Sequence, residues 1–335
     1  MKRRYFLQGV GTASAALPVL GCNDVLMSSA LDKITPKREI AKRTLGKTGI
    51  RISILGFGSH MNSTLLKNPT LRDKMIKAGY EGGINVFDVY DHSGYNQFKP
   101  MGQSLKGFRK EVVVSLCCVQ SPSNIQAEID GALTSFLTDY IDLYRLYTVD
   151  DTRVNYMENN KKAGKIRAIG VVSHDANEAM GYLDRYGDRL DFLMLPYNFY
   201  HNKGVYNDPG YPINDYSALL PRCKNMNIGI TGIKPLGSEY MIQLATNQHF
   251  FEDKNANIVQ AMLRHVYQNE DVHTTFAAMN NMQEVVTNLE SAYTPQISDY
   301  EKTMLDNLSV KAGSAKGAYL PDHYKWLENW RVETV

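Results

Sequence analysis

Two short apolar runs decide the fold of this 335-residue chain. Residues 83–90 read GINVFDVY and residues 111–118 read EVVVSLCC, with a polar loop and a short helical stretch between them. Runs of this length, rich in Val and Ile and bounded by turn residues, are typical of parallel strands covered on both faces. The two runs therefore predict one strand–helix–strand unit. Asp88, near the end of the first run, would lie at the rim of the sheet, where ligands bind.

The same alternation of strand and helix continues along the chain. Strands are predicted at 51–58, 83–90, 111–118, 140–147, 166–173, 191–196, 228–233 and 274–278. A helical stretch follows each strand, and eight such units predict an α/β fold closed into a (β/α)₈ TIM barrel. An open doubly wound sheet is the alternative, but no Gly-x-Gly-x-x-Gly motif follows the first strand. Residues 43–50, with Gly at two turn positions, predict a small hairpin in front of the barrel.

The N-terminus has the pattern of an export signal. Residues 2–8 read KRRYFLQ and resemble a twin-arginine signal, while the apolar run 9–20 is too short to span a bilayer. The run ends in Gly21-Cys22, similar to a lipoprotein cleavage box, which implies a lipid anchor at Cys22. We therefore expect a periplasmic protein or one anchored to a bacterial membrane. A hydrophobic N-terminal helix that stays on the chain is the alternative.

Four segments follow from these patterns. We expect a signal peptide at 1–22, a polar tether at 23–40, the barrel at 41–291 and a C-terminal extension at 292–335 that packs on the barrel. The extension contains a predicted helix at 300–308 and an aromatic stretch at 324–330. Such aromatic residues more often cover a loop or close a barrel than recognise a partner.

Composition excludes several functional classes. The chain carries 37 Lys and Arg against 35 Asp and Glu, and the basic residues are scattered, so nucleic-acid binding is not expected. The four Cys lack the spacing of a zinc or iron–sulfur site, so neither is expected. Apolar residues make up 43% of the chain, enough to bury a large core.

Several stretches, in order along the chain, resemble the aldo-keto reductase family. They are residues 43–50, 83–88, 139–144, 164–171, 196–198, 234–237 and Asn288. The resemblance implies a barrel that binds NADP without a Rossmann domain. It also implies reduction of aldehydes or ketones through a Tyr, a Lys, a His and an Asp.

Of these four catalytic positions, only Asp88 matches the family. The resemblance places Ser93 where the family has the acidic Tyr, Cys117 where it has the Lys, and Tyr147 where it has the His. A proton donor contributes about 10²- to 10⁴-fold in rate, and a serine hydroxyl is too weak an acid for this role. Tyr95, in the loop after Asp88, or Tyr147 can replace it. For each of them the alternative is a rim side chain that donates no proton.

Strand parity gives a second prediction. A period of two places Ile141, Leu143, Arg145 and Tyr147 on one side of the fourth strand. A buried Asp88 carboxylate without its lysine is costly, so we predict an ion pair between Asp88 and Arg145. An outward-pointing Arg145 is the alternative. Cys117 as a nucleophile would need a lowered pKa, which Arg145 can assist, whereas a buried inert thiol is the commoner outcome.

The resemblance also implies cofactor contacts. The expected cofactor-binding residues are Ser173, Asn198, Lys234, Gly237 and Asn288. Ser173 and Asn198 lie where the family contacts the nicotinamide amide or its surroundings, and Lys234 with Gly237 can hold a pyrophosphate. A solvated loop lysine is the alternative for Lys234. Glu284 lies where the family has basic residues around the 2′-phosphate of NADP, which favours NAD over NADP.

Three functions are compatible with the sequence. The first is an exported oxidoreductase that acts on a small-molecule carbonyl with a rebuilt proton donor. The second is a catalytically silent barrel that binds a small polar ligand at its rim. A third, another reaction through Asp88, His92 and Cys117, has no spacing that singles it out. The first is favoured because most of the chain resembles an enzyme family.

Overall fold

The barrel predicted from the sequence is confirmed. A computed structural model of the chain describes residues 38–58, 61, 63–90, 97–119, 121, 123–200, 215–237 and 239–314. Eight parallel strands close into a ring in the order β10-β3-β4-β5-β6-β7-β8-β9. The barrel strands are β3 (Leu55–Phe57), β4 (Val86–Tyr90), β5 (Val113–Cys118), β6 (Ile141–Leu146), β7 (Ile166–Val172), β8 (Phe192–Pro196), β9 (Gly229–Ile233) and β10 (Thr274–Ala277).

Helices surround the ring. Within the described residues they are α1 (Ser63–Lys67), α2 (Pro69–Glu81), α3 (Phe98–Leu105), α4 (Ile125–Phe136), α5 (Asp151–Lys162), α6 (Ala176–Tyr186), α7 (Leu219–Asn225), α8 (Glu239–Asn247), α9 (Ile258–Tyr267), α10 (Met282–Tyr293) and α11 (Asp299–Ser314). Short 3₁₀ turns lie at Gly46–Thr48, Arg109–Glu111, Gly187–Arg189 and Phe250–Glu252. Side chains that cap helix N-termini are Asn68, Asp150, Asp175, Asn257 and Asn281. Each accepts a hydrogen bond from the first turn, which fixes where its helix begins.

The hairpin in front of the barrel is present, but the first predicted strand is divided. β1 (Lys42–Thr44) pairs antiparallel with β2 (Arg51–Ser53), and only β3 joins the ring. The chain bends at Ile54, where the Ser53 hydroxyl donates to the Leu55 carbonyl at 2.7 Å. The bend is required because the hairpin lies across one end of the barrel, where Leu45 packs into the barrel interior.

Two apolar layers result from strand parity. The barrel interior contains residues such as Val86, Leu143 and Phe192, while a second layer lies between the strands and the helices. Cys117 faces the interior and Cys118 faces the helices, and neither forms a disulfide. The prediction that alternate residues of the fourth strand face the barrel interior is wrong for one residue. Ile141, at the start of β6, packs in the outer layer.

The C-terminal part of the described chain covers the helices after β9. The predicted helix at 300–308 is longer, since α11 spans Asp299–Ser314, and its residues Leu305 and Leu308 pack with Met241 of α8 and Ala261 of α9. None of the described helices has the length and apolar character of a membrane span. The expected signal peptide, Cys22, most of the tether and the aromatic stretch 324–330 lie outside the described residues.

Candidate active site

Asp88 and Arg145 form a buried ion pair inside the barrel. Arg145 Nη1 lies 2.5 Å from Asp88 Oδ1, and Nη2 lies 3.1 Å from Oδ2. Nη1 also donates to the Ser115 hydroxyl at 3.1 Å. The Arg145 side chain is only 3% exposed and the Asp88 side chain 0%. The predicted contact is confirmed, and the alternative of an outward-pointing Arg145 is wrong.

The register of neighbouring strands explains this pairing. Asp88 of β4 lies opposite Ser115 of β5, and Ser115 lies opposite Leu143 of β6. Arg145 is therefore one layer closer to the carboxyl ends of the strands than Asp88 is. Its long side chain spans that layer to reach the carboxylate. Gly58 permits the position of Asp88, because a Cβ at residue 58 would lie 2.9 Å from the Asp88 Cβ.

Electrostatics keep the guanidinium charged. Burial is the largest single influence and lowers the pKa of Arg145, but the Asp88 carboxylate, together with the charges that Cys117 and Tyr90 would carry when ionised, raises that pKa above its ordinary value overall. Burial raises the pKa of Asp88, while Arg145 and the Ser115 hydroxyl oppose that rise. Arg145 binds Asp88 through its two terminal nitrogens, so Nε lies on the far side of the guanidinium from the carboxylate. Within the described part of the chain, this Nε has no hydrogen-bond partner.

Three side chains near the mouth pack against the interior layer. They are Tyr90, Val119 and Tyr147, all half-buried. Tyr147 is the residue that the resemblance places at the histidine position. Its backbone N–H donates to the Cys118 carbonyl at 3.0 Å, which extends the contact between β5 and β6 beyond the end of β6.

Tyr90 is a candidate that the sequence analysis missed. It follows Asp88 by two residues, so parity alone places both side chains on the inner face of β4. Tyr90 lies opposite Cys117, and Cys117 lies opposite Arg145. These three residues therefore share one layer of the barrel. The two-residue spacing between Asp88 and Tyr90 already indicates this inward position in the sequence. The family resemblance instead places its tyrosine in the loop after β4.

Cys117 occupies the centre of that layer and is 3% exposed. Burial raises the pKa of its thiol to about 12, although Arg145 opposes the rise. A protonated thiol is a poor nucleophile. This environment favours the inert thiol over the nucleophile among the two alternatives for Cys117.

Residues 91–96, in the loop that follows β4, lie outside the described part of the chain. The proposed roles of Ser93 and Tyr95 are therefore still predictions. The same holds for His92.

Two of the expected cofactor residues hold loops at the mouth. The Ser173 hydroxyl accepts from the Asp175 N–H at 3.0 Å and contacts the Glu178 carboxylate. Asn198 is 1% exposed, and its Nδ2 donates to the Lys234 carbonyl at 3.1 Å. Asn198 therefore ties the loop after β8 to the loop after β9.

The other expected cofactor residues lie on the last two units. Lys234 and Gly237 form a tight turn after β9, with the Gly237 N–H donating to the Lys234 carbonyl at 3.0 Å. Both have positive φ, 56° and 79° respectively. Asn288, on α10, is 2% exposed.

Glu284 closes the N-terminus of α10. Its Oε2 accepts from the Asn280 N–H and its Oε1 from Asn281 Nδ2, each at 2.7 Å. Burial raises the pKa of Glu284, while the bonds from Asn280 and Asn281 oppose the rise. The carboxylate is thus part of the local fold as well as a negative charge at this end of the mouth.

The chemical types present fit a nicotinamide dinucleotide. Neutral donor and acceptor groups at Ser173 and Asn198 complement a carboxamide. Ile233, 9% exposed at the end of β9, offers an apolar surface to a ring, and Lys234 a cation to a phosphate. The described residues contain no cluster of three or more His, Cys, Asp or Glu side chains able to hold a metal ion.

The aldo/keto reductase family model matches residues 54–310. L-galactose dehydrogenase of Arabidopsis thaliana is 21% identical over 299 residues, which cover 76% of this chain and 90% of the relative. The NADH-specific methylglyoxal reductase of Escherichia coli is 26% identical over 249 residues, with 64% and 71% covered.

Two solved structures share the fold. An aldo-keto reductase from Bacillus halodurans in its holo form superposes with a TM-score of 0.63 at 19% identity, and 85% of this chain and 99% of that chain are covered. An aldo-keto reductase from Klebsiella pneumoniae in complex with NADPH gives 0.62 at 20% identity, with 81% and 96% covered. The family model spans most of the chain, from the first barrel strand into α11. The chain therefore belongs to the aldo/keto reductase family.

Proposed function

We propose that this protein is a nicotinamide-dependent oxidoreductase that interconverts a carbonyl compound and an alcohol with a non-standard set of catalytic side chains. The Asp88–Arg145 pair is the observation that carries this proposal. It keeps the aspartate of the family and supplies, from a different strand, the cation that Cys117 cannot provide. A buried polar pair of this kind at a barrel mouth is typical of a functional site.

Each residue has a separate task in the proposed reaction. A bound reduced nicotinamide supplies the hydride that a carbonyl carbon accepts. Arg145 provides positive potential where negative charge develops on the carbonyl oxygen, and Asp88 fixes the orientation of the guanidinium. The apolar interior next to them, including Phe192 and Met194, excludes water and strengthens this electrostatic effect.

The residues that would hold the cofactor belong to the second half of the barrel. Ser173 and Asn198 would contact the nicotinamide amide, and Lys234 with Gly237 the pyrophosphate. Asn288 would contact the far end of the dinucleotide. The negative charge of Glu284 near the 2′-position favours NAD(H) over NADP(H).

Small polar compounds are the proposed substrates. One relative is named for L-galactose and another for methylglyoxal, so a sugar or a short aldehyde is a reasonable starting class. The substrate-selecting loops include residues outside the described part of the chain.

The N-terminal pattern supports a further proposal about location. A twin-arginine route carries folded proteins, which suits an enzyme that acquires its cofactor before export. Lipidation at Cys22, with the multiple acylation that bacterial lipoproteins receive by resemblance, would then hold the barrel at a membrane.

An absorbance assay tests the proposed reaction. The purified chain is mixed with NADH and methylglyoxal, and the loss of the 340 nm band is followed. We expect consumption of NADH that depends on both enzyme and aldehyde, and a slower rate with NADPH. Asp88→Asn should reduce the rate, whereas Asp151→Asn, which alters an exposed ion pair on α5, should not. Binding of NADH without turnover of any carbonyl would favour the silent barrel instead.

A further inference from the structure

We propose that Tyr90 supplies the proton to the carbonyl oxygen, in place of the tyrosine that the family carries in the following loop. This inference rests on the proposed function. It assigns a catalytic residue to a position, two residues after Asp88, that the family resemblance leaves without a role.

The position of Tyr90 on β4 suits a proton donor. Tyr90 ends β4 on its inner face and packs against the barrel interior while remaining half-buried. Its phenol therefore belongs to the mouth, where a small substrate enters. Asp88, the one matching catalytic position, is on the same strand and the same face, one layer deeper.

The positive charge of Arg145 also favours Tyr90 as the donor. Tyr90, Cys117 and Arg145 are consecutive register partners across β4, β5 and β6. Arg145 is close enough to Tyr90 for the charge of an ionised phenol to raise the pKa of the guanidinium. By the reciprocity of that interaction, the guanidinium stabilises the phenolate left behind after proton transfer. In the family this task belongs to a lysine beside the tyrosine.

The other candidate side chains in the described region are less suited to donate this proton. The thiol of Cys117, with a pKa raised to about 12 by burial, is in the same layer but fully enclosed. Tyr147 lies two residues beyond Arg145 on the next layer out, and it follows the end of β6. Tyr90 is half-buried at the mouth and lies in the same layer as the Arg145 guanidinium.

The step is balanced. A hydride adds to the carbonyl carbon, and the π electrons of the C=O bond move to oxygen. The oxygen takes the hydrogen of the Tyr90 O–H as a proton, which gives an alcohol. A reduced nicotinamide bound at the mouth would supply the hydride with its electron pair, and the Tyr90 phenolate recovers a proton from water at the rim.

The test compares four single variants of the full chain. Tyr90→Phe, Tyr147→Phe and Tyr95→Phe each remove one phenol and keep the ring, and Tyr156→Phe on α5 is the exposed control. NADH affinity is measured by fluorescence titration. Single-turnover rates are measured from pH 5 to 10 with methylglyoxal and glyceraldehyde, and galactose is tested with NAD⁺ in the reverse direction.

We expect only Tyr90→Phe to slow the single turnover, by about 10²- to 10⁴-fold. Its NADH affinity should equal that of the wild type, and the loss of rate that follows deprotonation of the phenol at alkaline pH should disappear. A wild-type rate in Tyr90→Phe would overturn this assignment and leave the proposed function intact, and a loss in Tyr147→Phe or Tyr95→Phe would then identify the donor. NADH binding without turnover of any of the three probes, or no NADH binding, would overturn both.

Discussion

Among single residues, the pairing of Asp88 with an arginine determines how the carboxylate is held. A guanidinium binds both oxygens of Asp88 at once, whereas an ammonium binds as a point charge. The bidentate contact fixes Arg145 across one layer of the barrel. A pair buried in this way has a large cost when only one partner is removed.

We predict that Asp88→Asn and Arg145→Gln each lower the free energy of unfolding by about 3–5 kcal/mol, because each leaves a buried charge unpaired. The double variant should lose less than the sum of the two. Urea denaturation measures all three. Arg185→Gln, which breaks an ion pair with both side chains more than half exposed, is the matched control and should change the free energy of unfolding far less than either buried variant. Strict additivity in the double variant would show that Asp88 and Arg145 are not coupled.

Cys117 gives a second prediction at this scale. Because burial raises the pKa of its thiol to about 12, Cys117 is protonated in the folded protein at pH 8. Iodoacetamide should therefore leave Cys117 unmodified in the folded chain and alkylate it in urea, as read by tandem mass spectrometry. Rapid alkylation in the folded chain would restore the nucleophile alternative.

At the scale of elements, the loop before β10 contributes a partly buried titratable group near the hairpin end of the barrel. His273 Nδ1 accepts from the Ile230 N–H at 3.0 Å, which joins the residue before β10 to β9. Burial lowers the pKa of His273 below its ordinary value. The ring is neutral in the folded protein, since a protonated Nδ1 has no lone pair to accept the bond.

This neutral histidine makes stability depend on pH. As the pH falls below about 6.5, the unfolded chain takes up the proton first, so the unfolded state gains stability relative to the folded state. The free energy of unfolding should fall by up to about 1.4 kcal/mol per pH unit until the folded pKa is reached. Urea denaturation from pH 7.5 to 5 measures this slope, and His273→Gln should flatten it. An equal slope in the variant would assign the effect to other groups.

Sequence patterns and strand geometry together explain what was predictable at this scale. Strands have a period of two, so Arg145 could be assigned to the inner face from sequence alone. The bend at Ile54 could not, because Arg51–Ser53 and Leu55–Phe57 are both extended and only the distant pairing with Lys42–Thr44 divides them. The layer shared by Tyr90 and Arg145 depends on register between parallel strands, which no local pattern encodes.

At the scale of the whole molecule, closure of the ring determines what the side chains can do together. Asp88, Cys117 and Arg145 come from three different strands and meet only because adjacent strands of the barrel are in register. The hairpin covers the opposite end, so the interior opens toward the carboxyl ends of the strands. We propose that a nicotinamide dinucleotide binds at this mouth.

A fluorescence titration of the purified chain with NADH measures this binding. We expect a saturable change in NADH fluorescence with a dissociation constant below about 1 mM, and weaker binding of NADPH because of Glu284. Asn198→Ala should weaken NADH binding, whereas Tyr156→Phe should not. No change in fluorescence with NADH or NADPH at millimolar concentrations would show that the mouth does not bind a nicotinamide dinucleotide.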